Sequence, residues 1–117
     1  MIKLNTIQKI EKLNDVYTLD SRDIGGAHHK YLISKGSNIF AEIQMQKGPR
    51  RDDNSTNGVI DSDLLEIVRH RLQCFQEGPC KCDCNAKALE HIELALMYMN
   101  RRVEDRIERN VLGTYNK

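Results

Sequence analysis

The chain has 117 residues, with 18 basic and 17 acidic side chains and a formal net charge of +1. This length predicts one small domain, or one domain with a short appendage. The balanced charge excludes a general polyanion binder that works by bulk charge. No uninterrupted apolar stretch approaches the roughly 18 residues of a membrane span, and the first residues lack a signal-peptide apolar region. We therefore expect a soluble cytoplasmic protein.

The first part of the chain favours β-structure. Ile7–Leu13 and Val16–Leu19 flank an Asn-Asp pair that suits a hairpin turn. Farther along, Lys30–Lys35 and Ile39–Gln46 alternate apolar and polar residues on either side of a Gly-Ser-Asn turn. That pattern predicts a second β-hairpin. Residues 48–58 then combine Gly, Pro, Asn, Ser and charge, which is typical of a loop.

The first predicted helix has Asp61 as its N-cap and Asp63 in its first turn. It is expected to stop at Gly78-Pro79. Its apolar stripe consists of Leu64, Ile67, Val68, Leu72 and Phe75.

The second predicted helix begins near Asn85, whose side chain is a candidate cap. Gly113 ends the ordered part. A coiled-coil-like seam runs through Leu89, Ile92, Leu96, Met99 and Val103. A short connection makes the two helices antiparallel, and a chain this small cannot cover all their apolar faces. We therefore predict an α+β fold with a small N-terminal antiparallel β-region, followed by a long helical hairpin that self-associates. The predicted domains are 1–56, the β-rich region with a lid loop, and 57–117, the hairpin.

Four cysteines lie within eleven residues, and without a secretory signal we expect them to be reduced. Cys74 falls on the first helix and is interpreted as a small core residue. Structural zinc sites usually need a second, distant pair of ligands, which this chain lacks. We interpret Cys80, Cys82 and Cys84 as thiols of a polar loop, and we predict neither a metal nor a cofactor.

The apolar seam becomes cationic at its C-terminal end. Arg102 and Arg106 are spaced i,i+4 and project from one side of the helix. Either they pair with nearby Glu104, Asp105 and Glu108, or they bind a phosphate-bearing ligand in an interface pocket, since arginine forks match phosphate.

Three other residues carry two interpretations each. Phe75 packs in the hairpin core or stacks on a nucleobase. Asn85 caps its helix or reads a base edge or ribose hydroxyl. Arg50, beside Arg51 in the 48–58 loop, lies in a solvated turn or closes over phosphates as part of a lid.

Several motifs in order resemble the helical-hairpin domain of phage anti-defence nucleotide sponges. They are Gln46–Arg50, Asn57–Val59, Phe75–Pro79, Asn85–Leu89, Glu93–Leu96, the ladder Arg102, Arg106 and Arg109, and Val111–Thr114. The upstream motif resembles the longer branch, the Thoeris anti-defence sponges, which carry an N-terminal β-region. The shorter branch is the anti-CBASS cyclic-nucleotide sponges.

The resemblance implies sequestration without catalysis in the cytoplasm of the infected bacterial host. The ligand would be a cyclic ADP-ribose-isomer immune signal, glyco-cyclic ADP-ribose. Phe75 would stack on adenine, Asn85 would hydrogen-bond nearby, Arg102 and Arg106 would clamp the pyrophosphate, and Arg50 would approach from the lid loop. The family forms dimers that associate into hexamers, as trimers of dimers, and some members also bind cyclic di- or trinucleotides.

Three alternatives stay open. The first is a sponge for the cyclic di- or trinucleotides of CBASS, and the second is a non-nucleotide helical adaptor. The third is an enzyme that hydrolyses the signal, which would need an acid/base pair or a metal. His28-His29 is the one adjacent histidine pair in the sequence. DNA is not expected as a partner, because no basic stripe is interleaved with aromatics.

Overall fold

The computed structural model describes residues 1–108. The elements follow in the order β1 (Ile2–Lys3), β2 (Asp15–Thr18), β3 (Lys30–Lys35), β4 (Asn38–Gln44), α1 (Asp61–Gln76) and α2 (Asp83–Glu108). The predicted α+β class, an antiparallel sheet followed by a helical hairpin, is confirmed. The chain forms two compact units: a β unit of residues 1–47 and 56–59, and a hairpin unit of residues 48–55 and Ile60 onward. The predicted end at Gly113, Arg109 of the ladder and the 111–114 motif lie outside the described residues.

The β unit is a four-stranded antiparallel sheet in the order β1-β2-β3-β4. The predicted hairpin is formed by β3 and β4, with Asn38 already part of β4. Its turn includes Gly36 at φ 59°, a conformation that a residue without Cβ adopts at little steric cost. Leu32 and Met45 are the apolar side chains that this unit buries most completely.

The predicted N-terminal hairpin is wrong in its first strand. Ile2–Lys3, not Ile7–Leu13, pairs with β2, and Ile2 lies opposite Thr18. Ile7 is 92% exposed and Ile10 is fully exposed. The physical reason is the spacing near three, because a strand that buries one face needs apolar residues at every second position.

The two ends of the 48–55 loop are joined by backbone hydrogen bonds. Lys47 and Thr56 exchange two backbone hydrogen bonds, of 2.8 and 2.9 Å. Inside the loop, Asp52 accepts the backbone N–H of Asn54 on its side chain at 2.9 Å and that of Ser55 on its carbonyl at 3.1 Å. The loop chemistry in the sequence therefore produces a hydrogen-bonded turn on a fixed base.

The start of α1 differs from the prediction by one residue. Ile60 is the N-cap and Asp61 is the first helical residue. The side chain of Asp63 accepts the backbone N–H of Ile60 at 3.0 Å, and Asp63 donates its own N–H to the Ile60 carbonyl at 3.0 Å. An apolar residue can occupy the cap because the Asp63 carboxylate accepts the cap N–H and places a negative charge near the positive end of the helix dipole.

The α2 helix keeps the predicted seam from Leu89 to Met99, whereas Val103 at its end is exposed. Much apolar surface stays open. Leu89, Ile92, Leu96 and Met99 are half-buried, whereas Ile67 of the predicted α1 stripe is 59% exposed. No residue of either helix is fully buried within the described range. Other exposed apolar side chains of the hairpin are Val68, Leu94, Met97, Tyr98 and Ile107. In the described part of the chain, neither helix is long and apolar enough to cross a membrane.

Candidate ligand-binding site

The tip of the hairpin presents an exposed aromatic ring. Phe75 lies in the last turn of α1 and is 38% exposed. The guanidinium of Arg71, one turn earlier, lies 5.5 Å from the centroid of its ring. Because the ring is not buried in a core, it can still stack on a flat ligand. Arg71 places its cation over one face of that ring.

Asn85 lies at the start of α2, but it is not the cap. The carbonyl of Cys82 accepts the N–H of Ala86 at 3.1 Å, which makes Cys82 the N-cap residue. Cys82 Sγ accepts the backbone N–H of Asn85 at 3.4 Å. The side chain of Asn85 donates from Nδ2 to the carbonyl of Cys80 at 3.4 Å. The prediction of Asn85 as a cap is therefore wrong, because the helix begins two residues earlier.

The thiols surround this tip without entering a core. Cys74 is exposed, which contradicts its interpretation as a small core residue, and its Sγ lies 3.8 Å from His70 Nε2. Its position follows from the helix, since Cys74 lies outside the half-buried face that contains Leu72 and Gln73. Cys80, Cys82 and Cys84 are also free and exposed. Within residues 1–108, no three His, Cys, Asp or Glu side chains are grouped so as to hold a metal ion.

The arginine pair lies toward the opposite end of α2. Arg102 is exposed and Arg106 is half-buried. Their i,i+4 spacing places them on neighbouring turns of one face. Within residues 1–108, Arg102 forms no ion pair with the neighbouring carboxylates.

Within one hairpin, the tip lies far from the arginine pair. Asn85 and Arg102 lie on the same helix, so the 1.5 Å rise per residue separates them by about 25 Å along its axis. Phe75 and Asn85 are thus grouped at the tip, while Arg102 and Arg106 are grouped at the far end. A ligand the size of a dinucleotide cannot contact both groups on a single copy.

A shallow cleft of about 490 Å³ lies on the hairpin between these two groups. It is lined by Gln76, Ala86, Leu89, Glu90, Glu93, Leu94 and Met97. Its carboxylates repel phosphate, and its other side chains are mostly apolar. The cleft therefore suits packing against an apolar surface rather than binding an anion.

Arg50 lies in the 48–55 loop, and its side chain is exposed. The loop is held at its base by the Lys47 and Thr56 pair. Arg50 therefore belongs to a loop whose two ends are hydrogen-bonded to each other and which contains its own turn. Its role as a lid residue stays a prediction.

The adjacent histidines close the β2–β3 connection. The Asp20 carboxylate accepts the backbone N–H of His29 at 2.9 Å and that of Lys30 at 3.2 Å, and Nδ1 of His28 lies 2.7 Å from the Asp20 carbonyl. His29 Nε2 approaches Asp23 Oδ2 at 2.6 Å. The pKa of Asp20 lies below its usual value. Partial burial of the carboxylate alone would raise this pKa, but the two backbone hydrogen bonds and the neighbouring histidines lower it by a larger amount. The histidine pair therefore has a structural role in this connection.

These features define an α+β protein whose helical hairpin has an exposed aromatic ring at its tip and an arginine pair toward its far end. The family model "Acb2/Tad1, hairpin domain" matches residues 37–104. The chain belongs to this family, which confirms the resemblance drawn from the motifs. It is also 37% identical over 93 residues to Thoeris anti-defense 1 of Bacillus phage SBSphiJ7. That alignment covers 80% of this chain and 65% of the relative, so the chain spans slightly less than two thirds of that protein.

Sequence reasoning missed two tip residues. Arg71 lies four residues before Phe75, a spacing that brings two helical side chains together, so the sequence carried this signal. Gln76 accepts the backbone N–H of Cys82 on Oε1 at 3.1 Å and so ties the end of α1 to the start of α2. No sequence pattern indicated this second contact, because it depends on how the tip loop folds.

Proposed function

We propose that this chain is a phage anti-defence protein that binds a cyclic ADP-ribose-isomer immune signal and holds it without cleavage, thereby blocking Thoeris defence in the cytoplasm of the infected host. The observation that carries this proposal is the family match across the hairpin, together with the similarity to a phage protein named Thoeris anti-defense 1. The exposed ring of Phe75 and the arginine pair of α2 supply the two kinds of contact that a nucleoside diphosphate needs.

The proposed site lies between two copies of the chain. An antiparallel arrangement of two hairpins would bring Arg102 and Arg106 of one copy to Phe75 and Asn85 of the other. The apolar side chains that the hairpin leaves exposed support such an interface, because their burial favours association. Each dimer would then carry two equivalent sites, and dimers would associate further into hexamers.

The chemistry of such a site explains retention. Two guanidinium groups match a pyrophosphate through charge-assisted hydrogen bonds, which are stronger in a desolvated pocket. Arg50 would add a third cation from the 48–55 loop. A sponge needs slow release rather than turnover, so its quality is expressed in the dissociation rate.

Calorimetric titration with glyco-cyclic ADP-ribose tests this proposal. The complex is then heat-denatured, and the released nucleotide is identified by chromatography and mass spectrometry. We expect tight binding and recovery of the unchanged ligand. Binding followed by recovery of a cleaved nucleotide would replace the sponge by an enzyme.

Two other functions give different results in the same experiment. A sponge for CBASS signals would bind cyclic di- or trinucleotides and not the cyclic ADP-ribose isomer. A protein adaptor is favoured by the apolar cleft and by exposed Met97 and Tyr98. An adaptor would bind neither class of nucleotide, and its function would survive the double substitution Arg102→Ala and Arg106→Ala.

A further inference from the structure

The helix that carries Asn85 is capped by a sulfur atom. As the N-cap residue of α2, Cys82 places its Sγ 3.4 Å from the backbone nitrogen of Asn85. Oxygen atoms of Ser, Thr, Asp and Asn are the usual acceptors at this position, and a thiol sulfur is a weak one. Unlike those oxygens, sulfur also forms disulfides and is readily oxidised. The start of α2 therefore depends on a chemically reactive group.

Asn85 is hydrogen-bonded to two residues of the segment between the helices, Cys80 and Cys82. Its side chain donates to the carbonyl of Cys80, and its backbone donates to the sulfur of Cys82. Cys82 in turn donates its own N–H to Gln76 on α1. In a capping box, a Glu or Gln at the third helical position accepts the N–H of the cap residue. Here Gln76 of the preceding helix accepts that N–H instead. A displacement of Cys82 therefore moves Asn85 relative to the ends of both helices.

We propose that Cys82 is the positioning residue for Asn85, and that it is a modification site at which low-molecular-weight disulfides weaken ligand binding. This inference rests on the proposed function, because it uses Asn85 as a ligand-binding residue. Cys82 is exposed, so solvent-borne reagents reach its sulfur. Modification places a bulky group on the atom that accepts the Asn85 N–H. The cap is lost, and the Asn85 amide shifts.

The chemical step is thiol–disulfide exchange. The Cys82 thiolate attacks one sulfur of the small disulfide, a new S–S bond forms, and the original S–S bond breaks. The other half leaves as a thiolate and takes up the proton that Cys82 released. A reducing agent reverses the step by the same route, so the effect on ligand binding is reversible.

The neighbouring thiols provide matched controls. Cys80 contacts Asn85 through its backbone carbonyl, which is unaffected by modification of its side chain. A protein that keeps Cys82 alone, with Cys74→Ser, Cys80→Ser and Cys84→Ser, isolates the proposed site. The single variant Cys82→Ser keeps the other three thiols and supplies a stronger oxygen cap. Cys82→Ala removes the acceptor without adding bulk.

The experiment treats each folded protein with oxidised glutathione and counts the attached groups by intact mass. Two readouts follow: the ¹⁵N resonances of the Asn85 backbone and side-chain amides, and calorimetric titration with glyco-cyclic ADP-ribose. In the protein with Cys82 alone, one attached group should shift both Asn85 signals and weaken binding by about fivefold, the loss expected when one hydrogen bond from Asn85 to the ligand is no longer made. Cys82→Ser should keep its affinity after treatment, and Cys82→Ala should lose affinity without treatment.

Two results would overturn the inference. One is a Cys82 that stays unmodified in the folded protein while Cys80 and Cys84 react. The other is a modified Cys82 that changes neither the Asn85 signals nor the affinity. If the untreated protein does not bind the nucleotide, the proposed function fails, and the Asn85 signals alone then decide whether Cys82 positions this residue.

Discussion

Arg69 on α1 donates from Nε to Oε2 of Glu93 on α2 at 2.9 Å, so this hydrogen bond joins the two helices midway along the hairpin. The bond to Glu93 raises the pKa of Arg69, an effect that partial burial of the guanidinium opposes. Both side chains are more than a third exposed. Water and salt therefore screen the pair, and its contribution to stability is modest.

The substitution Arg69→Met is expected to lower the melting temperature by a few degrees. Methionine keeps the apolar stem of the side chain and removes its bond across the helices. The difference from the wild-type protein should shrink in high salt, as measured by circular dichroism during heating. Lys87→Met is the matched control, because it breaks a largely exposed pair with Asp83 within one helix. An equal loss in both variants would contradict the assigned role of Arg69.

Gly58 lies where no larger residue fits the β unit. A Cβ at this position would lie 2.2 Å from the Gln44 carbonyl oxygen and 2.7 Å from the Met45 carbonyl carbon. These are backbone atoms that cannot rotate away, so Gly58→Ala should destabilise the protein by about 1–3 kcal/mol or more. Urea denaturation measures the loss. Gly25→Ala should be close to neutral, since its Cβ would contact a flexible carboxylate at 3.4 Å.

Acid should weaken the β unit before the hairpin. The pKa values of Asp20 and Asp23 lie below their usual value in the folded protein, because hydrogen bonds and histidine charges outweigh the effect of partial burial, which alone would raise them. A carboxyl group whose pKa is lower in the folded protein stabilises it fully above the unfolded pKa, near 3.8. That stability is lost as the pH falls through the folded value.

The measurement is urea denaturation at pH 7 and at about pH 3, followed by the backbone amide resonances of Tyr17 and Tyr31, which report on the sheet. We expect a lower midpoint at the acid pH. Asp20→Asn should be less stable than the wild-type protein at pH 7 and should lose less on acidification. A wild-type midpoint that does not change between the two pH values would contradict this assignment.

Replacing Arg102 and Arg106 together by alanine should weaken nucleotide binding by at least about a hundredfold, since truncating buried ionic contacts costs 2–5 kcal/mol. Helix content and oligomeric state should be retained. The control Arg101→Ala removes an arginine from the same helix turn whose guanidinium lies 5.5 Å from the Tyr98 ring centroid. Equal losses in both proteins would mean that overall charge, rather than the arginine pair, holds the ligand.

Mixing two inactive variants tests whether the site spans two copies. Phe75→Ala lacks the tip ring, and the Arg102→Ala, Arg106→Ala protein lacks the arginine pair. If each site takes one group from each chain, a mixed dimer contains one complete site and one doubly defective site. Refolding the two variants together should therefore restore tight binding, at one ligand per mixed dimer. A site within one chain would give no restoration.

The sequence predicted the helical hairpin well because its periodicity persists over many turns. The seam from Leu89 to Met99 repeats at helical spacing, and these residues form the half-buried face of α2. The β3–β4 hairpin was predicted because two segments rich in apolar, strand-forming residues flank a turn that contains Gly36. Where one pattern dominates a long segment, tertiary contacts have little to override.

Helix ends and the first strand were harder to predict. Ile60 is an N-cap because Asp63 reaches back to it, and Cys82 is an N-cap although sulfur is a rare acceptor there. The first strand at Ile2–Lys3 is too short to show any periodicity. These features depend on single contacts that only the folded chain reveals. The roles of Phe75, Asn85, Arg102, Arg106 and Arg50 came from the resemblance and remain predictions.

Because Lys47 and Thr56 are joined by backbone hydrogen bonds, the sequence of the 48–55 loop can change without disturbing the residues that flank it. These two hydrogen bonds join the two ends of the loop, so changes within the loop leave this backbone pairing intact. Lengthening a surface loop also costs little, because closure entropy grows only with the logarithm of its length. Under selection by changing hosts, residues 51–55, which follow the motif that ends at Arg50, would vary while the sheet keeps its sequence. Homologues should therefore differ more in residues 51–55 than in the sheet, and this part of the loop should be exchangeable between them.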